Sequence, residues 1–242
     1  MWNTFYANDE WHWVDTTPGM SHAFDISEST YNNHYETGGP LGGSSQSDWA
    51  KPWILKAMQY GLMDINFIDE CCLDYGTDTH YSQPGYTLRE SCSRLQFAQL
   101  AVNLLEVYYD KNIDEILADK GVAINEAMFT DTTDKDVLAA NALGIVGGYG
   151  DGIYNPDGEL KRQEAAAILY RTAKVMGLEM EGADLSVFTD LDSIGTWARE
   201  AVAFCKAAGV MSGTSETTFD AQSAYTREQC VVTIVRLFDA VN

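Results

Sequence analysis

The sequence predicts an all-α, mainly helical protein built from three copies of a helix–loop–helix unit. Arg94, Arg162 and Arg227 each follow a Ser, Lys or Thr, precede a Gln or Glu by two positions, and open an apolar run with helical periodicity. Gly144 also precedes Arg162 by as many residues as Gly209 precedes Arg227. Such self-similarity is typical of repeat proteins, in which several copies pool their apolar faces into one core.

The last helix of the chain has the clearest signals. Thr226 is a good N-cap residue, and Gln229 can reach back to complete a capping box. Apolar residues then recur at three- and four-residue steps and predict one buried face: Cys230, Val231, Ile234, Val235, Phe238 and Val241. Arg227 is unexpected at the first helical position, because the positive end of the helix dipole disfavours a cation there.

The middle copy predicts a short first helix over about 134–143 and a second helix from Arg162 to about Val175. A short helical connector near Ile113 precedes this copy.

The first copy is more divergent. Ser47 or Asp48 is expected to cap a helix that runs through Tyr60 and ends at Gly61. A second helix from Arg94 is expected to bury Phe97, Leu100, Ala101, Leu104 and Leu105.

Residues 1–45 form a separate aromatic and acidic segment that ends in a linker rich in Gly and Ser. We expect it to be irregular, or to form a strand that packs on the repeats, or to be the remnant of a preceding domain. The aromatic residues concerned are Trp2, Phe5, Tyr6, Trp11 and Trp13. The histidines of this segment lack metal-ligand spacing, so no metal site is predicted.

These motifs resemble those of a known family. Residues 188–190, Trp197 and residues 226–228 resemble a repeat of the S-layer homology (SLH) family, whose second helix opens with Thr-Arg-Ala-Glu. Residues 129–131, 148–152 and 162–164 resemble a second repeat, and residues 47–102 a divergent first one. The resemblance implies three tandem repeats around a pseudo-threefold axis, over residues 46–110 (with an enlarged loop at 64–92), 111–178 and 179–242.

The resemblance also implies a binding site. In SLH proteins the recurring arginine lies in a groove between repeats that holds a pyruvylated secondary cell-wall polysaccharide. Helix N-termini with free N–H donors would assist in binding such an anion. The residues implied in ligand binding are Arg94, Arg162, Arg227, Trp49, Trp197, Gly148 and Gly213. The alternative is structural: each arginine pairs with an acidic residue of the next repeat, and the tryptophans belong to the core.

Composition excludes several functions. The formal net charge of −21 argues against nucleic acid and against anionic membrane surfaces as partners. No apolar run approaches the ~20 residues of a membrane span. The first residues do not resemble a signal peptide, so the chain is either a processed fragment or cytosolic. The resemblance favours a processed protein of the cell surface.

No catalytic motif and no cofactor motif is visible. We therefore predict a non-enzymatic module that anchors a secreted protein to a Gram-positive-type cell wall. One alternative is a protein-interaction module that has lost glycan binding and contacts a partner or a preceding domain through residues 1–45 and 64–92. The other is an unrecognised hydrolase.

The chain has five cysteines, and none has CxxC spacing. Cys205 and Cys230 are predicted to be small buried core residues. A disulfide from Cys92 to Cys71 or Cys72 would staple the enlarged loop.

Overall fold

The computed structural model describes residues 2–7, 10–15, 25–27, 47–63, 67 and 88–241. The predicted mainly helical fold is confirmed. The helices are α1 (Lys51–Gln59), α2 (Arg94–Tyr109), α3 (Ile113–Lys120), α4 (Lys135–Ala142), α5 (Arg162–Val175), α6 (Arg199–Ala207) and α7 (Arg227–Val241). A short 3₁₀ turn, Leu191–Ser193, lies before α6.

Three helices form the centre of the bundle, and three others surround them. The central helices α2, α5 and α7 contact one another pairwise. Each outer helix packs on the central helix of the preceding unit: α4 on α2, α6 on α5, and α1 on α7. The chain thus closes a ring in which the first unit contacts the last.

A ring of backbone hydrogen bonds fixes this arrangement just before the central helices. The N–H of Cys92 donates to the carbonyl of Tyr225 (2.8 Å), that of Tyr225 to Leu160 (2.8 Å), and that of Leu160 to Cys92 (3.0 Å). Each residue therefore both donates to one neighbour and accepts from the other, which gives the bundle its pseudo-threefold character.

The first N–H groups of the central helices are also occupied. Each donates to a carbonyl of the neighbouring loop: Arg94 to Gly158 (3.0 Å), Arg162 to Ser223 (3.0 Å) and Arg227 to Glu90 (2.9 Å). The next N–H group of each helix is bound in the same way. The expectation that these helix ends offer free donors to an anion is therefore wrong for their first two positions.

The capping box predicted for the third copy is confirmed, and the first copy has an equivalent one. The side chains of Ser93 and Gln96 each accept from the backbone N–H of the other, as do those of Thr226 and Gln229. Lys161 offers no side-chain oxygen, and its own N–H donates to Glu164 instead (2.9 Å).

The start of α1 differs from the prediction. Its N-cap residue is Ala50, without a side-chain cap, and neither Ser47 nor Asp48 occupies that position. The reason is that the Ser47 hydroxyl and N–H both donate to the Glu228 carboxylate, each at a distance of 2.8 Å. Gly61 ends the helix at a positive φ of 70°, as predicted.

The Phe-Thr-Asp motifs at residues 129–131 and 188–190 have a structural role. In the second copy Asp131 accepts from the N–H groups of Tyr154 (2.9 Å) and Asn155 (2.7 Å), and Asn155 has a positive φ of 60°. In the third copy Asp190 accepts from the N–H groups of Phe219 (2.9 Å) and Asp220 (2.7 Å). Both carboxylates therefore hold a loop of their own unit in place.

The predicted buried faces are present. Phe97, Leu100, Ala101, Leu104 and Leu105 are all buried in α2. Along α7 the predicted face is buried except for Phe238 and Val241, which are half-buried.

Three of the cysteines lie in the described part of the chain. Cys205 and Cys230 are buried free thiols, as predicted. Burial raises the pKa of Cys205 to about 12. Cys92 is also a buried free thiol, so the disulfide considered for it is not formed.

Residues 1–45 contain three strands, β1 (Trp2–Ala7), β2 (Glu10–Asp15) and β3 (Asp25–Ser27), in one antiparallel sheet of order β1-β2-β3. Trp2 pairs with Asp15, and His12 with Ser27. The described residues of this segment thus form strands, in keeping with the strand preference of its aromatic residues. In the enlarged loop only Phe67 and residues 88–92 are described; Phe67, Leu88 and Cys92 are buried.

Candidate functional site

All three recurring arginines lie beneath the surface. Their residue exposures are 6% for Arg94, 6% for Arg162 and 8% for Arg227. Burying a guanidinium is costly unless its charge and its N–H groups find partners. The three sites differ in how this cost is offset.

Each guanidinium nitrogen of Arg94 has a hydrogen-bond partner within the protein. Its Nε donates to the carbonyl of Tyr154 (3.0 Å) and its Nη2 to that of Gly147 (2.8 Å). Its Nη1 donates to Oε1 of Glu164 at a distance of 3.3 Å. The rings of Tyr149 and Tyr154 lie against the guanidinium, with centroids 4.6 and 4.8 Å from its carbon. This pairing matches the structural alternative considered for the arginines.

Glu164 connects several groups at this position. Besides Arg94, its Oε1 accepts from the Tyr149 hydroxyl (2.8 Å), and its Oε2 accepts from the N–H of Lys161 (2.9 Å). Burial and the bond to Glu164 both raise the pKa of Tyr149, so this phenol keeps its proton and remains a donor.

A hollow of about 300 Å³ lies beside this pair. Its polar and aromatic lining comprises Arg94, Tyr149, Glu164, Arg171 and Trp197. These residues come from α2, from the loop after α4, from α5 and from the segment before α6, so all three units contribute. The hollow is thus the groove between the second and third units, with Arg94 of the first unit in its wall. We refer to it as the α5 groove.

Arg162 has no carboxylate partner among the residues that the structure describes. Its Nη2 donates to the carbonyl of Ser212, while its Nε is buried without a hydrogen-bond partner in that part of the chain. Aromatic rings offset part of the cost, since Phe219 and Tyr225 lie 5.1 and 5.4 Å from the guanidinium carbon. One buried donor is left unsatisfied.

Arg227 is paired, but differently from Arg94. Its Nε donates to Oε1 of Gln96 (3.2 Å), and its Nη1 lies 3.4 Å from Oε2 of Glu90. Glu90 is itself partly exposed, with 46% of its side chain accessible. The three arginines are thus equivalent in position but not in electrostatic environment.

The tryptophans are not core residues. Trp49 is 49% exposed and Trp197 is 55% exposed. The core interpretation of these side chains is therefore wrong, and their faces are open to a ligand. Trp197 lies in the α5 groove, and Trp49 holds the equivalent position before α1.

The predicted site glycines have packing roles of their own. A Cβ on Gly148 would lie 2.4 Å from the carbonyl oxygen of Ile153, and one on Gly213 would lie 2.4 Å from that of Ser215. Their loops therefore require glycine even without a ligand. Gly148 also lines the α5 groove.

Sequence reasoning missed three residues of the groove, namely Tyr149, Glu164 and Arg171. Tyr149 lies in the Gly-rich turn after α4, and Glu164 is the N3 residue of α5. Both lie within the motifs that resemble the SLH family (residues 148–152 and 162–164), so these motifs could have indicated them as groove residues. Arg171 lies beyond those motifs, and nothing in its sequence context pointed to the groove.

Comparisons with known proteins bear on the two units that build this groove. Residues 130–166 and 187–229 match the model of the S-layer homology domain. These SLH segments include Arg162, Arg227, Trp197, Gly148 and Gly213, whereas Arg94 and Trp49 lie outside them.

Two curated relatives come from Acetivibrio thermocellus. A cellulosome-anchoring protein is 32% identical over 93 residues, which are 38% of this chain and 20% of that protein. Cell surface glycoprotein 1 is 31% identical over 105 residues, which are 41% of this chain and 4% of that protein. The chain thus spans a fifth or less of the length of these relatives. Among the described residues, no helix has the length and apolar character needed to cross a membrane.

Proposed function

We propose that residues 46–242 form a non-catalytic cell-wall anchoring module of three SLH repeats. Its grooves would bind an anionic, pyruvylated cell-wall polysaccharide outside the cell, at the cell surface. The SLH segments and the names of the two relatives, one cellulosome-anchoring and one a cell surface glycoprotein, support the anchoring role. In this proposal residues 46–110 are the divergent first repeat.

The proposal depends mainly on one observation: Arg162 is buried and its Nε has no hydrogen-bond partner among the described residues. A guanidinium that is more than nine-tenths buried, with no acidic partner and an unsatisfied Nε among the described residues, is costly in an isolated protein. A ligand carboxylate would supply both the missing charge and the missing acceptor. By the pseudo-threefold relation to Arg94 in the α5 groove, Arg162 would line an equivalent groove between α7 and α1, where Trp49 would take the place of Trp197.

The α5 groove offers a second place for the same polymer. Trp197 presents an open aromatic face suited to the apolar side of a sugar ring, and Tyr149 presents a phenol. Here Arg94 is already paired with Glu164, so a ligand carboxylate has to share the guanidinium or displace Glu164. We therefore rank the Arg162 groove above the α5 groove as an anion site.

The test is cosedimentation of the protein with Gram-positive sacculi that retain or lack their secondary polysaccharide. We expect retention only where the polymer is present, and loss of retention in Arg162→Gln. Lys135→Gln removes the same charge from an exposed residue paired with Asp114, and it should bind as the wild type does.

Buried Arg162 also packs on two rings, so its replacement could unfold the protein. Trp49→Ala, which alters only an exposed residue, therefore serves as a second variant with thermal unfolding as the check. If sacculi without the polysaccharide retain as much protein as sacculi that carry it, the polysaccharide is not the ligand. Failure to bind any sacculi, with a protein partner captured through residues 1–45, would favour the interaction module.

A further inference from the structure

A second hollow, of about 470 Å³, shares Arg171 with the lining of the α5 groove. It is bounded by the end of α3, the turn after α4 and the C-terminal half of α5. Its lining includes three cations, Lys120, Arg171 and Lys174, and three apolar side chains, Val122, Leu143 and Val175. No acidic residue lines it in the described part of the chain. We refer to it as the basic hollow.

The three cations of the basic hollow have only neutral partners among the described residues. Lys120 Nζ donates to the carbonyl of Val175 (2.9 Å) and lies 3.1 Å from the Tyr109 hydroxyl. Lys174 Nζ lies 3.3 Å from the Tyr170 hydroxyl. Arg171 Nη1 donates to the carbonyl of Ile145 over 3.2 Å.

Some other lysines of the chain behave differently. Each of four forms a salt bridge with an aspartate: Lys51 with Asp48, Lys56 with Asp239, Lys111 with Asp119, and Lys135 with Asp114. Lys161 and Lys206 also hydrogen-bond only neutral oxygens among the described residues, but the basic hollow gathers several cations without a salt bridge in one place, on a chain of 36 acidic and 15 basic residues. Three of them around one hollow form a local positive site on an otherwise negative protein.

Helix ends explain part of this arrangement. Lys120 and Lys174 lie in the last turns of α3 and α5, where a cation interacts favourably with the helix dipole. Donors remain for a ligand, because Lys120 uses two of its three ammonium donors, Lys174 one of three, and Arg171 one of five among the described residues. Arg171 lies before the last turn of α5, so the dipole does not account for its position.

We propose that the basic hollow is a second anion-binding subsite, and that it takes a further acidic group of the same glycan that occupies the α5 groove. This inference rests on the proposed function. Arg171 lines both hollows, so a polymer that leaves the α5 groove across this side chain enters the basic hollow directly. Lys120 and Lys174 then bind its next carboxylate or phosphate, and Val122 and Val175 contact the sugar ring.

Two carboxylates lie near Lys174 without forming a salt bridge with it. The bond to Tyr170 is the largest cause that raises the pKa of Lys174, and Glu200 and Glu179 contribute at longer range. Neither carboxylate forms a salt bridge with Lys174. The ammonium is therefore fully charged at neutral pH and open to a ligand.

The first experiment tests the subsite without any glycan. Inorganic phosphate is titrated into the full chain, and the amide resonances of Gly144 and Val175 are followed by NMR. We expect a saturable shift that is lost in the double variant Lys120→Gln/Lys174→Gln. Lys135→Gln/Lys206→Gln removes two charges from residues outside the hollow and should leave the shift unchanged. Absence of a saturable shift in the wild type, or its persistence in the double variant, would overturn the proposal.

The second experiment tests the connection to the glycan, with the same variants and polymer-bearing sacculi. Each exposed ion pair changes an equilibrium constant by about 1.4- to 5-fold, so loss of two should weaken binding by about 2- to 30-fold. Unchanged affinity in the double variant, with normal wild-type binding, refutes the shared polymer and leaves the anchoring function standing. A wild type that binds phosphate at this hollow but no sacculi refutes the anchoring function instead.

Discussion

Replacement of Glu164 by glutamine should lower stability and raise affinity for an anion at the same time. Gln96 and Gln229 occupy the equivalent N3 position in the other two central helices, where both complete a capping box. Glutamine is therefore compatible with the local backbone, and its side-chain oxygen can still accept from Lys161. What Glu164→Gln removes is the negative charge beside Arg94.

The magnitude follows from the burial of the pair. The side chains of Arg94 and Glu164 are 7% and 13% exposed, and their closest atoms are 3.3 Å apart. At an effective dielectric constant of ~20, opposite charges ~4 Å apart attract by about 4 kcal/mol. Relief of the desolvation cost of the carboxylate offsets much of this. We therefore expect a net loss of about 1–3 kcal/mol, or about 2–12 °C in Tm for a chain of this size.

Thermal unfolding followed by circular dichroism measures the first effect, and cosedimentation with polymer-bearing sacculi measures the second. Arg94 loses its acidic partner in the variant, so a ligand carboxylate no longer competes with Glu164 and should bind more tightly. Glu126→Gln alters an exposed carboxylate and serves as the control. A variant with unchanged Tm, or with weaker binding, would refute this account of the pair.

Three further predictions concern the loops and the groove. Gly148→Ala places a Cβ 2.4 Å from the Ile153 oxygen and should cost about 1–3 kcal/mol in denaturant unfolding, whereas Gly147→Ala meets open space and should cost less. Partial burial would raise the pKa of Asp190, but the backbone N–H groups that donate to its carboxylate outweigh this effect, so the pKa is lowered. Its stabilisation is present above pH ~4 and lost on acidification, so the stability gap between wild type and Asp190→Asn should narrow at pH 3. Trp197→Ala should leave Tm within about 2 °C but weaken retention on sacculi, because the side chain is exposed; a large fall in Tm would contradict this.

Local signals were read well from the sequence. The Ser93 and Thr226 capping boxes, the bounds of α5 and the buried face of α2 depend on residues within a few positions of each other. Cap chemistry and apolar spacing therefore predict them without knowledge of the fold. The start of α1 was misread for the opposite reason: the partner of Ser47 is Glu228, which is 181 positions away.

The site shows the same division. The recurrence of Arg94, Arg162 and Arg227 is visible in the sequence, and so is the idea that they serve related roles. Their partners are not, since Arg94 pairs with Glu164 across 70 positions while Arg162 finds no carboxylate among the described residues. The exposure of Trp49 and Trp197 was equally undetermined, because an aromatic residue before a helix occurs both in cores and at surfaces.

The sequence by itself determined that this chain makes repeated helical units, because caps, glycine turns and apolar periodicity act over a few residues. Only the tertiary structure decided which charges meet. Each outer helix packs on the central helix of the preceding unit, and backbone hydrogen bonds among Cys92, Leu160 and Tyr225 close a ring. That closure occupies the helix N-termini, buries the arginines and leaves Lys120, Arg171 and Lys174 facing one hollow. Such electrostatic environments depend on distances between units, which no local pattern contains.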